Sequence, residues 1–282
     1  MRFRSLVLAV LVTGSVAGTI GVSAQGRSRA RDRAFDDFGQ RADDWCRNAE
    51  RGNRDRTFCD VREQSLPGIT SLDVDTGGNG GIRVRGVSGS TTRVRFRVVA
   101  RAPNEGDAHD LLADVRIATD GGRVRVSGPR TRNRESWSVD VEIEAPRALP
   151  LVLRTNNGGI AIDNVANRTR FETTNGGVSL SDVSGDVRGS TVNGGITVAL
   201  DGRRWDGAGL EVETTNGGIQ MRLPAGYNAD LRAETTNGGI NIDFPITVRG
   251  RLSTRHIEST LGAGGPPVHV RTVNGGVTIA SR

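Results

Sequence analysis

The sequence contains no lysine: all 38 of its basic residues are arginine, set against 32 acids and three histidines for a formal charge of +6. An all-arginine complement suits bidentate contact with phosphate or carboxylate, and a bias in genome composition explains it equally well. Aromatic residues are scarce at 4%, which leaves few side chains for stacking on sugars, and cysteines number only two. After residue 22 no long apolar run occurs, so nothing downstream reads as a spanning helix. Motifs that organise common chemistries are also missing. There is no HExxH, no GxSxG elbow, no P-loop and no dinucleotide fingerprint. The stretch Thr76-Gly77-Gly78-Asn79-Gly80-Gly81 is glycine-rich, but a strand pattern and not a helix follows it, which removes the helix N-terminus a phosphate cradle uses. What is abundant is glycine, 39 residues in 282, and that composition excludes a long-helix or coiled-coil architecture in favour of one written in turns.

Arg2 and Arg4 precede the apolar run Leu6 to Val22, which closes on Val22-Ser23-Ala24 before Gln25. This is the pattern of a cleaved signal peptide, residues 1–24. The mature chain is therefore expected in the periplasm, outside the cell or at its surface, without a membrane anchor. In that oxidising setting Cys46 and Cys59 are expected to form a disulfide, because their spacing suits neither CxxC chemistry nor a zinc site. The surrounding segment, residues 25–68, mixes charges of both signs with little apolar content and reads as a flexible tether stapled locally by that bond.

Six copies of one triplet organise the second half: Asn157-Gly158-Gly159, Asn175-Gly176-Gly177, Asn193-Gly194-Gly195, Asn216-Gly217-Gly218, Asn237-Gly238-Gly239 and Asn274-Gly275-Gly276. Two residues before each Asn stands a threonine: Thr155, Thr173, Thr191, Thr214, Thr235 and Thr272. Positions three and five after the Asn are always apolar, and the position between them is mostly small or polar. That period of two defines strands with one buried face on either side of a turn. Asn and Gly tolerate positive φ, so the triplets are read as structural turns that reverse the chain. An antiparallel meander of hairpins satisfies the same parity. Identity within columns favours a parallel β-helix or solenoid with about 18–23 residues per coil, because stacking puts like on like. On that reading Arg188, Glu211 and Arg232 alternate in sign along successive coils, and the longest interval, Asn237 to Asn274, holds two coils with a degenerate turn at Ala263-Gly264-Gly265. The insertion around Trp205 bulges from an edge, with Trp205 covering the side of the solenoid.

Residues 69–148 form a separate β-rich part, with a helix from Glu105 to Val115 capped by Asn104, and the repeat unit occupies 149–282. Within the first part, Arg83, Arg85, Arg93, Arg95, Arg97, Arg123 and Arg125 alternate with apolar residues and are expected to form one basic sheet face, a candidate surface for envelope polyanions, with another envelope protein as the alternative partner. No nucleic acid partner, metal, cofactor or catalytic residue is expected. The best candidates for paired carboxylates, as a polysaccharide lyase or hydrolase would need, are Glu213 and Glu234 at equivalent positions of consecutive repeats. The three histidines fall in different elements and read as surface residues.

The repeat Thr-x-Asn-Gly-Gly-[Ile/Val]-x-[Ile/Leu/Val/Met], the segments Arg204-Trp205-Asp206-Gly207 and Asp243-Phe244-Pro245, and the final Gly264-Gly265 with Asn274-Gly275-Gly276 together resemble the bacterial "putative adhesin" domain family of unknown function. The similarity runs from about Ile69 to Ser281. It implies a secreted, non-catalytic β-solenoid of the bacterial envelope, an adhesin-like structural or binding module, and supplies no ligand.

Overall fold

The computed structural model describes residues 39, 41–47, 56–243 and 253–281. The expected signal peptide and most of the expected tether lie outside them. The described elements are a short helix α1 (Ala42–Arg47), then β1 (Arg56–Pro67), β2 (Leu72–Asp75), β3 (Ile82–Val87), β4 (Thr91–Ala102), α2 (Glu105–Asp114), β5 (Arg116–Asp120), β6 (Arg123–Ser127) and β7 (Ser136–Pro146). The repeats follow as β8 (Leu151–Asn157) and β9 (Ile160–Asp163), β10 (Thr169–Asn175) and β11 (Val178–Ser181), β12 (Asp186–Asn193) and β13 (Ile196–Ala199), and β14 (Gly209–Asn216) and β15 (Ile219–Leu223). The chain continues through β16 (Ala229–Asn237), β17 (Ile240–Asp243), β18 (His256–Leu261), β19 (Pro267–Asn274) and β20 (Val277–Ser281).

Each Asn-Gly-Gly triplet is a corner that passes the chain from one sheet to the other. Sheet A has the order β1-β4-β7-β3-β9-β11-β13-β15-β20-β17, and sheet B the order β18-β16-β19-β14-β12-β10-β8-β2-β6-β5. Strands on either side of a corner therefore never pair with each other, which excludes the hairpin meander. Parallel pairing runs through the middle of both sheets, and antiparallel pairs occur toward their ends. Among the described residues, the one hairpin with a two-residue loop is Asp120-Gly121-Gly122-Arg123, where φ is 52° and 84° at the glycines.

The glycines of the six repeat corners do not have positive φ, which corrects the expected reason for their presence. A Cβ on Gly158, Gly176, Gly194, Gly217, Gly275 or Gly238 would overlap the backbone of the corner stacked beneath it. In each case the overlapped atom is the carbonyl oxygen of that corner's own first glycine. That oxygen accepts from the buried threonine above: Thr155 Oγ1 donates to Gly80 O at 2.7 Å, Thr173 to Gly158 at 2.9 Å, Thr191 to Gly176 at 2.8 Å and Thr214 to Gly194 at 2.7 Å. Thr272 and Thr235 complete the column on Gly217 and Gly275, each at 2.8 Å. On the outside, asparagine amides form a parallel chain, each Nδ2 donating to the Oδ1 of the neighbouring coil at 2.7 to 2.9 Å. Its members run Asn79, Asn157, Asn175, Asn193, Asn216, Asn274, Asn237.

That sequence of members shows a departure from a simple solenoid. The last repeat, β19 and β20, is wedged between the coil of Asn216 and the coil of Asn237, pairing with both. The segment before it is not a further coil. β18 runs antiparallel along the far side of β16, and the chain returns through Gly262 and Gly264, both at positive φ.

At the other end the stack continues without a break past residue 148. β2 pairs with β8 and β3 with β9, Asn79 joins the asparagine column, and one apolar core extends from Leu72 to Ile279. The helix α2 is capped by Asn104, whose Oδ1 accepts from Asp107 N at 2.9 Å, and buries Ala108 and Leu111. Trp205 is buried, and its Nε1 donates to Gly185 O at 3.0 Å. It closes the side of the stack, as the sequence suggests.

The two glycines of a corner are predicted to differ sharply. Gly194→Ala puts a methyl into the Gly176 carbonyl and should destabilise by about 1–3 kcal/mol, as overpacking does. Gly177→Ala meets only the Gly195 oxygen at 3.5 Å and should cost less than about 1 kcal/mol. Urea unfolding of both variants checks this, and equal losses contradict it.

Candidate functional site

The seven arginines expected to share a face do not. Arg83 and Arg85 lie on β3 and Arg93, Arg95 and Arg97 on β4, all in sheet A, whereas Arg123 and Arg125 lie on β6 in sheet B. Between β3 and β4 runs β7, whose outward residues are Asp140, Glu142 and Glu144. Register places Arg93 opposite Glu144, Arg95 opposite Glu142 and Arg97 opposite Asp140 on one side, with Arg83 opposite Glu142 on the other.

Glu142 is almost wholly buried. Its oxygens lie 3.0 Å from Arg95 Nη1 and 3.2 Å from Arg83 Nη2, and Gly39 N donates to it at 3.2 Å. Glu63 on β1 meets Arg95 Nε at 2.8 Å, Asp140 meets Arg97 Nε at 3.1 Å, and Asp163 stands 3.9 Å from Arg85. The basic row is thus matched by an acidic row. The signal was present in the sequence as Asp140-x-Glu142-x-Glu144, alternating with the apolar residues that mark β7.

The face is also covered. Trp45 of α1 is buried at 1% exposure, its ring centre 5.8, 5.0 and 5.3 Å from the guanidinium carbons of Arg83, Arg95 and Arg97. Arg97 Nη1 donates to the Trp45 carbonyl at 3.0 Å. The neighbouring Cys46 is bonded to Cys59 on β1, with Cα atoms 5.6 Å apart. The expected flexible tether is therefore ordered over 41–47 and 56–67, where cation–π contact and an edge strand paired along all of β4 hold it. An open cavity of about 470 Å³ beside α1 has Arg93, Arg95, Glu63, Glu142 and Glu144 in its walls.

Sheet B presents a second outward surface, two rows deep. From β6 to β12 the rows carry Arg123, Arg125, Arg154, Arg170 and Arg188 against Asp73, Asp75 and Glu172. From β14 to β18 they carry Glu211, Glu213, Glu234 and Glu258 against Arg271 and Arg232, with His269 and His256. Asp186 at the start of β12 adds a fourth acid to the first half and pairs with Arg170 and Arg188, so that half is only slightly basic, whereas the second is acidic. Burial pulls the Asp73 carboxyl upward, but the Arg125 hydrogen bond and the charges of Arg125, Arg154 and Arg123 outweigh it and hold the group below the ordinary aspartate range. Asp186 is held low by hydrogen bonds from Arg170 and Arg188, which exceed the opposing effect of burial.

The wedged β19 also dissolves the expected carboxylate pair. Arg271 stands between Glu213 and Glu234, 3.2 Å from the first and 4.0 Å from the second. It likewise puts His269 between Glu211 and Arg232, so the expected alternation holds only at Arg188 and Glu211, 3.7 Å apart. Two histidines read as separate are brought together: His256 Nδ1 lies 3.3 Å and His269 Nε2 3.8 Å from the Glu234 carboxylate. Burial acts to raise the Glu234 pKa, yet Arg232, His269 and His256 together lower it. Among the described residues, no cluster of three or more His, Cys, Asp or Glu side chains is placed to hold a metal ion, and no helix is long and apolar enough to cross a membrane.

A family model, Toastrack DUF4097, matches residues 108–280. The chain belongs to the Toastrack DUF4097 family. The matched stretch starts inside α2 and ends inside β20, crossing residue 148 as the core does. Among solved structures, a "putative cell adhesion protein" of Clostridium sporogenes is 12% identical, covering 80% of this chain and 100% of its own, with a TM-score of 0.43. A "putative adhesin" of Bacteroides fragilis is 11% identical over 79% and 97% of the two chains, with a TM-score of 0.36. A "putative lipid binding protein" of Parabacteroides distasonis is 9% identical over 79% and 96%, with a TM-score of 0.27. No curated protein matches the sequence.

Matched charge on sheet A makes Arg95 structural. Arg95→Gln leaves a buried carboxylate short of a partner and should cost about 3 kcal/mol. Arg93, whose side chain is 69% exposed, should cost less than about 1 kcal/mol as Gln. Chemical denaturation of the two variants reads the difference, and a tolerated Arg95→Gln refutes the matched network.

Proposed function

We propose that this Toastrack chain is an exported, non-catalytic module of the bacterial envelope, adhesin-like in role, whose parallel coils of about 18–23 residues form a rigid platform for binding charged polymers. The observation that carries this reading is the outer face of sheet B. Its side chains stand in fixed rows, successive strands being ~4.8 Å apart, and the charge shifts from five arginines against four carboxylates on β6–β12 to a clear excess of carboxylates on β14–β18. A polymer with repeating anionic groups is drawn to the basic half, and the acidic half sets the direction in which a bound chain or protein lies. The arginines of sheet A contribute less to such binding, since Trp45 covers Arg83, Arg95 and Arg97. The family and the sequence pattern at residues 1–24 support the envelope setting.

The test is retention of the purified mature protein on polygalacturonate and polyphosphate beads. Binding should weaken as salt shortens the Debye length from ~10 Å at 0.1 M to ~3 Å at 1 M. It should also fall several-fold when Arg154, Arg170 and Arg188 are all changed to Gln, with the melting temperature little altered. Retention that ignores both salt and the triple change overturns the reading, as does turnover of the polymer.

A further inference from the structure

One arginine on sheet A lies beyond the reach of the acidic row. Along β4 the outward residues are Arg93, Arg95, Arg97, Val99 and Arg101, and on β7 the residues opposite them are Glu144, Glu142, Asp140, Ser138 and Ser136. Acids thus face the first three arginines, and a hydroxyl faces the last. On the other side of Arg101 the β1 residue in register is Thr57, another hydroxyl. Arg101 Nε and Thr57 Oγ1 are both buried, and neither has a hydrogen-bond partner. An unpaired buried guanidinium nitrogen costs free energy that an oxyanion would recover.

Space for a ligand lies beside it. A cavity of about 400 Å³ has Arg97, Val99, Arg101, Ser136, Ser138 and Asn79 in its walls, a volume within the range of small-molecule sites. Arg97 is already engaged by Asp140 and by the Trp45 carbonyl, so the available charge in the wall is Arg101. The loop that leads into Ser136 adds exposed Arg130, Arg132 and Arg134 to the local field. It is fixed in place, since Trp137 Nε1 donates to Pro129 O at 3.0 Å and Arg132 N to Glu135 Oε2 at 2.7 Å.

We propose that this cavity is a binding site for a small oxyanion-bearing ligand of phosphosugar size, with Arg101 gripping the anionic oxygens and the hydroxyls of Ser136 and Ser138 orienting the rest. The site is on the sheet opposite the face invoked for polymer binding, so the two readings stand or fall separately.

Isothermal titration of the full mature chain at low salt with glucose 6-phosphate, galacturonate and inorganic phosphate tests it and separates the sources of the anion. Binding of at least one is expected, weakened about tenfold or more in Arg101→Gln, as loss of a charge-assisted hydrogen bond implies, and unchanged in Arg93→Gln. Ser136→Asp supplies an internal carboxylate where Asp140 serves Arg97, so it should raise the melting temperature and abolish binding. This second variant decides the matter if Arg101→Gln does not fold. The proposal is overturned if none of the three probes binds at millimolar concentration, if Arg101→Gln or Ser136→Asp binds like the parent, or if binding is lost only in the Arg154, Arg170 and Arg188 variant.

Discussion

The structure depends on how closely one coil can approach the next at the Asn-Gly-Gly corner. Backbone of one corner rests directly on backbone of the corner below, and a side chain on the first glycine would fill the space. The same approach brings a threonine hydroxyl onto the glycine carbonyl beneath and an asparagine amide onto its neighbour. Each of these bonds contributes only about 1 kcal/mol net. Repeated through the stack, they fix the register, and register decides which outward side chains stand beside one another. The corner therefore governs the chemistry of both outer faces.

Register explains why two faces built on the same coils differ. On sheet A an acidic strand lies between two arginine strands, so charge is neutralised pair by pair and a tryptophan closes over the result. On sheet B the acids of β2 divide the arginines of β6 from that of β8, Asp186 pairs with Arg170 and Arg188, and only beyond β12 do carboxylates clearly outnumber arginines. Arg101 lies where the sheet A pattern ends. The acidic row stops at Asp140 and leaves it facing hydroxyls, a local exception that suits a ligand.

Much of this was legible in the sequence, and what was missed has definite physical causes. The threonine and asparagine columns disclosed parallel stacking, because ladders of identical residues need identical neighbours. Positive φ was the wrong reason for the glycines, since Asn-Gly-Gly and Asp120-Gly121-Gly122 look alike as sequence, and only the second joins paired strands in a hairpin. The arginine face was misread because period-two alternation assigns a residue to a side of a strand, and it does not say which strands share a sheet. Glu213 and Glu234 were adjacent as repeats, but Arg271 arrives between them from a strand more than thirty residues further on. A local pattern cannot show that the last repeat enters the stack out of order.

This wedged repeat is the point at which the account is most exposed, because stacking by sequence order would leave β19 and β20 at the open end. Amide hydrogen exchange on the intact chain measures it directly. The account predicts that amides of 268–272 and 277–279, held between strands on both sides, exchange more slowly than those of β17 and β18 at the sheet edges. Fast exchange at the C-terminal repeat, with slow exchange in β17, would contradict the inserted coil and the outer-face register that follows from it.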